Sequence, residues 1–213
     1  MDHEKCLLMR HQNRFVFLVA LLVSICPFAT RASEAREFLI QSLEEIKSMQ
    51  SFFEQGVGDS SKTATGQLLF QKPNLFRMEI SSPVSQSITS DGEFLWTYDK
   101  DLEQVLVKGL TNSLAEMPFI KLLSEPRAFL EGKEIVSLPG DEQRFRLSIK
   151  ENESPIEFLE LDFMSGLISR ILIASRVGAP LEVFFYKMSR FESMPKEEFI
   201  FVLPENVDLI DNR

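Results

Sequence analysis

The sequence predicts a mostly β, α+β domain in which one large antiparallel sheet curls over its own apolar face. Three observations predict it. From residue 66 onward apolar side chains recur mostly at every second position, the period of a strand. The apolar runs are joined by short connections rich in Gly, Pro and Asp, which suits antiparallel neighbours. Helical spacing appears in only two places, near the start and in the middle. The alternation is clearest in Arg144, Phe145, Arg146, Leu147, Ser148, Ile149 and Lys150, and again in Glu157, Phe158, Leu159, Glu160, Leu161, Asp162 and Phe163. One face of each is charged and the other is large and apolar, so the sheet packs its apolar side inward.

The first 32 residues read as a secretory leader. Lys5, Arg10 and Arg14 precede an apolar run over 15–28, and Thr30, Arg31 and Ala32 place small residues at −3 and −1 for cleavage before Ser33. That run of 14 residues falls short of the roughly 20 that span a membrane. Cys26 follows Ile25, where a lipidation signal wants a small residue, so Cys26 is read as part of the leader. Residues 33–213 suit one domain with a sizeable core.

The first element of that domain is an amphipathic helix over 33–48. Ala35, Phe38, Leu39, Leu43, Ile46 and Met49 recur at helical spacing, Ser33 is placed to cap it, and Glu34 and Glu37 favour its first turn. A loop over 56–61 follows, with strands predicted at 66–71, 75–80, 86–90, 94–98 and 103–108. Asp91 and Gly92 form a favoured hairpin turn, because Gly tolerates positive φ. A helical interlude covers 113–124, interrupted by Pro118, and Pro126 opens a short segment to 130. Strands resume at 134–138, 144–150, 156–163, 167–176 and 181–191, with a last one at 198–203. The total is about eleven strands.

Composition excludes several functions. Four of the 23 basic and two of the 32 acidic residues lie in the leader, leaving 19 against 30 and a formal net charge of −11. That balance disfavours nucleic acid and anionic membrane surfaces. Cys6, Cys26, His3 and His11 all lie in the leader, so residues 33–213 contain neither Cys nor His. Thiol nucleophiles, disulfides, Ser-His-Asp triads and His- or thiolate-bound zinc are excluded there. Asp99 and Asp101 flank a turn without the full calcium-loop pattern and read as solvated turn acids. Glu44 with Glu45 and Glu197 with Glu198 read as exposed pairs, and Asn152, Glu153 and Ser154 match a glycosylation sequon. No metal, cofactor or catalytic residue is expected. The domain carries 16 Phe against one Trp and two Tyr, an interior of hydrocarbon with few polar handles.

One stretch is specific. Lys72, Pro73, Asn74, Leu75, Phe76 and Arg77 lead to Pro83. Gln86, Ile88, Ser90, Asp91, Gly92, Leu95, Trp96, Tyr98, Asp99, Leu102, Glu103, Gln104 and Val105 then follow in order. This run resembles the hallmark of the outer-membrane lipoprotein carrier family, LolA, and weaker matches extend to both flanks. The resemblance implies an unclosed, strongly curved half-barrel with a helical lid over an apolar concave face. It implies a monomeric periplasmic chaperone, not an enzyme, that shields the acyl chains of lipoproteins. Its partners would be an inner-membrane ABC transporter and an outer-membrane receptor. The lid would comprise the first helix and residues 113–130, with Phe119, Ile120 and Leu123 facing the cavity from it and Phe76 and Met78 facing it from the sheet. Where the family usually has a lid-closing Arg, this chain has Lys72, which keeps the charge but loses the planar fork; Arg77 is the other candidate for that role. The rival readings are a lipid-responsive regulator of envelope stress and a specialised lipid carrier of the same fold.

Overall fold

A computed structural model describes residues 27–58, 63–114, 117–140, 143–150 and 155–213, with side chains from Glu34 onward. Residues 1–26 of the expected leader, residues 59–61 of the 56–61 loop and the sequon at 152–154 lie outside the described residues.

The sheet has twelve strands. They are β1 (Ser48–Val57), β2 (Ala64–Gln71), β3 (Leu75–Ser82), β4 (Gln86–Asp91), β5 (Phe94–Asp99), β6 (Gln104–Gly109), β7 (Glu134–Ser137), β8 (Gln143–Ser148), β9 (Ile156–Met164), β10 (Leu167–Ser175), β11 (Leu181–Phe191) and β12 (Asp208–Asn212). Their order is β12-β6-β5-β4-β3-β2-β1-β11-β10-β9-β8-β7, so the sheet is open, with β12 and β7 at its edges. Every ladder is antiparallel except β12 on β6. Helices α1 (Pro27–Glu44), α2 (Leu110–Ser113), α3 (Pro118–Ser124) and α4 (Pro126–Leu130) complete the described elements, with a short 3-10 helix, Lys196–Phe199. Pro118 and Pro126 open α3 and α4, where a missing backbone N–H costs nothing.

Three expectations are corrected. The first helix starts at Pro27 and stops at Glu44, so Ser33 is an interior position and not the cap. Ile46 and Met49 are fully buried, but they belong to the turn after α1 and to β1. Residues 198–203 are not a strand. They continue a strap that crosses the outer face of the sheet, with Phe199 buried and Phe201 stacked on Trp96 at 5.1 Å between ring centroids. The true last strand is β12, which is exposed along its whole length and held by its main-chain ladder.

The interior is one apolar cluster that joins α1, α3 and α4 to strands from both flanks of the sheet, from Leu95 on β5 through Phe53 on β1 to Leu147 on β8. Gly66 makes one approach possible. A Cβ there would lie 2.2 Å from the Glu79 carbonyl oxygen and 2.6 Å from the Phe53 ring, so only Gly lets that ring lie flat across β2. The outer face carries the charge. Arg144 meets Asp162 at 3.1 Å, and Arg146 meets Glu160 at 2.5 Å. Arg170 reaches Asp162 at 3.2 Å and also pairs with Glu182. Glu160 and Asp162 are buried beneath these guanidiniums, which supply the partners a buried carboxylate needs.

Candidate functional site: an apolar cavity under a tied lid

The inner face holds a cavity of about 290 Å³ beneath the start of α3. Its floor is buried: Phe53 on β1, Leu68 on β2, Ile171 on β10 and Phe185 on β11, with Ile120 on α3 buried above them. Its walls are half-buried: Met78 and Ile80 on β3, Ile88 on β4, Ile173 on β10, Leu181 and Val183 on β11. Met117, Pro118 and Phe119 roof it, and the Phe119 ring lies 5.3 Å from that of Phe185. Gln55 on β1 is the one polar side chain in the lining.

Of the residues the sequence singled out, Met78, Phe119 and Ile120 meet at this cavity. Phe76 and Leu123 share the apolar interior but are fully buried in packed core. Phe76 pairs with Phe70 toward the β2–β3 turn, whereas Met78, two residues on, reaches the hollow. The sequence reading missed Phe53, Leu68, Ile80, Ile88, Ile171, Ile173, Leu181, Val183 and Phe185. Strand parity gives their shared face, and only the packing of α3 shows where along it the space lies.

Lys72 stands at the β2–β3 turn. Its ammonium donates to the carbonyl oxygens of Leu43 at 2.8 Å and Glu44 at 3.2 Å, at the C-terminal end of α1. Burial holds its pKa below the ordinary lysine value, against the opposing charge of Glu44. Arg77 is not in this position. It lies on the outer face, bonded at 2.8 Å to Glu79, because alternation on β3 turns 77 and 79 away from 76 and 78.

The helices of the lid are also tied to one another. Arg36 on α1 donates to the carbonyl of Leu130 at 2.7 Å, at the end of α4, and to that of Lys133. Arg127 on α4 pairs with Glu44 at 2.8 Å and Glu37 at 3.3 Å, both on α1.

A larger hollow of about 470 Å³ lies on the outer face beneath the strap, lined by Gln50, Gln67, Arg77, Glu79 and Glu198 among others. Leu69, Phe191, Met194 and Pro195 share that lining, so charged and apolar groups are mixed there, unlike the nearly all-apolar cavity on the inner face. Asp99 and Asp101 serve turns, accepting backbone N–H groups from Asp101, Leu102 and Ser85 at 3.0–3.1 Å. Among the described residues no helix is long and apolar enough to cross a membrane.

Comparison with known proteins agrees with this geometry. The family described as "Outer membrane lipoprotein carrier protein LolA" matches residues 44–202. An outer-membrane lipoprotein carrier protein of Azotobacter vinelandii is 29% identical over 199 residues, 89% of this chain and 96% of the relative. One from Pseudomonas aeruginosa PAO1 is 28% identical over 202 residues, covering 92% and 97%. Among solved structures, an uncharacterized conserved protein from Thermus thermophilus superimposes with a TM-score of 0.57 at 10% identity, over 83% of this chain and 98% of that one. MucB superimposes with a TM-score of 0.51 at 13% identity, over 80% and 63%. At these identities the structural likeness is one of fold.

Proposed function

Starting from the fact that this chain belongs to the outer-membrane lipoprotein carrier family, we propose that it is a non-enzymatic periplasmic chaperone that shields lipoprotein acyl chains in the cavity beneath α3. It accepts them from an inner-membrane ABC transporter and delivers them to an outer-membrane receptor. The observation that carries this reading is the lining, in which every residue but Gln55 is apolar.

Three acyl chains of about 15 methylenes each, at about 0.8 kcal/mol per methylene, hold a lipoprotein in its membrane by on the order of 35 kcal/mol. Unaided escape across such a barrier is too slow for any cell. An apolar cavity in a water-soluble protein substitutes one hydrocarbon environment for another, and Phe, Leu and Ile supply area without unpaired polar groups. The space of about 290 Å³ is small beside three acyl chains. Full loading therefore requires the lid to move. α1 and α3 pack against the inner face, which avoids the cost of a large void. Lys72 is the tie that holds that closed state, since it joins the sheet to the end of α1.

The test is extraction. Membrane vesicles bearing a triacylated lipoprotein, its ABC transporter and ATP are incubated with the purified protein. A soluble one-to-one complex is expected. A folded protein that leaves all the lipoprotein in the vesicles, beside a transporter that serves another carrier, refutes the proposal.

A further inference from the structure

The cavity is apolar at every lining position but one, and that exception is placed and unpaired. Gln55 is half-buried and lies on the cavity face of β1, two residues beyond the buried Phe53. Its neighbours across the two ladders are Val183 and Ala64, whose side chains offer no polar atom. Among the described residues the Gln55 carboxamide makes no hydrogen bond. A hydrocarbon ligand would gain nothing from it, and a methionine would fill the same space with better contact.

We propose that Gln55 is the polar anchor of the cavity and selects fatty acyl esters and amides over bare hydrocarbon. The inference rests on the carrier reading and sharpens it by naming the chemistry recognised at the rim. In the empty protein, water satisfies the carboxamide. When an alkyl chain fills the mouth that water leaves, and an unpaired amide is costly. An acyl group brings a carbonyl to the head of its chain, which accepts the Gln55 N–H, while the amide oxygen remains open to a hydroxyl or N–H of the cargo. The anchor fixes direction as well. The methyl end lies toward Leu68 and Ile120, and the carbonyl stops at Gln55, leaving the polar remainder of the cargo outside.

The test uses two probes of similar size, methyl dodecanoate and pentadecane, each displacing anilinonaphthalene sulfonate from the purified protein. The wild-type protein is expected to bind the ester about tenfold more tightly than the hydrocarbon. Gln55→Met, close in volume, is expected to lose that preference and to bind pentadecane at least as well as wild type. Gln55→Leu serves as the second variant, and the thermal midpoint of each confirms folding. Retention of the ester preference by a folded variant overturns the proposal and leaves the carrier reading standing. Failure of both probes to displace the dye from wild type overturns the carrier reading, and this proposal with it.

Discussion

The ammonium of Lys72 lies 2.8 Å from the carbonyl oxygen of Leu43, joining the β2–β3 turn to the last turn of α1 across 29 residues of sequence. The contact is a helix C-cap made from the sheet. A cation there donates to the last carbonyls and complements the negative end of the helix. It adds a charged tie to the apolar packing of Leu39, Ile40 and Leu43 that holds α1 against the interior.

Lys72→Leu should therefore free the end of α1 while leaving the apolar cavity intact. Hydrogen bonds from a charged donor suggest a loss of about 1–2 kcal/mol in lid docking. Amide exchange should speed up in α1 and α4 together, because Arg36 and Arg127 tie these helices to each other. Cargo should still bind and its delivery should fail. Normal delivery by this variant contradicts the role assigned to Lys72.

Gly66→Ala should be costly for a single methyl group. The new Cβ would meet the Glu79 carbonyl oxygen at 2.2 Å and the Phe53 ring at 2.6 Å, so backbone and ring must both shift. Overpacking of this kind costs about 1–3 kcal/mol. Phe53 is part of the cavity floor, so dye binding should fall along with the melting temperature. An unchanged melting temperature contradicts the packing described.

Acid should destabilise the protein partly through Glu79. Burial pushes its pKa up, but hydrogen bonds from Lys100, Arg77 and Ser87 outweigh that and leave it below the ordinary carboxylate value. A carboxyl whose folded-state pKa is depressed stabilises above its unfolded pKa, and that contribution is lost as pH falls through the folded value. Asp91 behaves likewise: burial raises it, but the N–H of Phe94 and the indole of Trp96 bring it below its ordinary value. Denaturation midpoints of wild type and Glu79→Gln should converge as pH falls below about 4.5. A constant gap from pH 7 to pH 3 contradicts this.

Strand parity made most of the sheet legible, because it reports which side chains share a face. It failed where apolarity came from another source. In β1, Phe52 and Phe53 are adjacent, one on each face, and Ile46 and Met49 continue the spacing of the preceding helix, so the helical pattern runs on past Glu44, where α1 ends. In β12 every residue is exposed, so no pattern marks a strand held by main-chain bonds alone. Phe199 and Phe201 alternate correctly but pack face-down on the outside of the sheet. At the site, the sequence put Phe76 and Met78 on one face yet gave no depth along it. Gln55 closes the run Ser51, Phe52, Phe53, Glu54 and Gln55, one of the flanking matches to the family, but nothing in that run places its side chain in the cavity.

The central claim is that acyl chains occupy the space beneath α3. A lipoprotein bearing a photoreactive diazirine midway along one acyl chain, loaded onto the purified protein and irradiated, tests it most directly. Label should appear on peptides containing Phe53, Met78, Phe119 and Phe185, which line the cavity. Label confined to the strap or the outer face, around Phe191 and Ile200, would contradict the account.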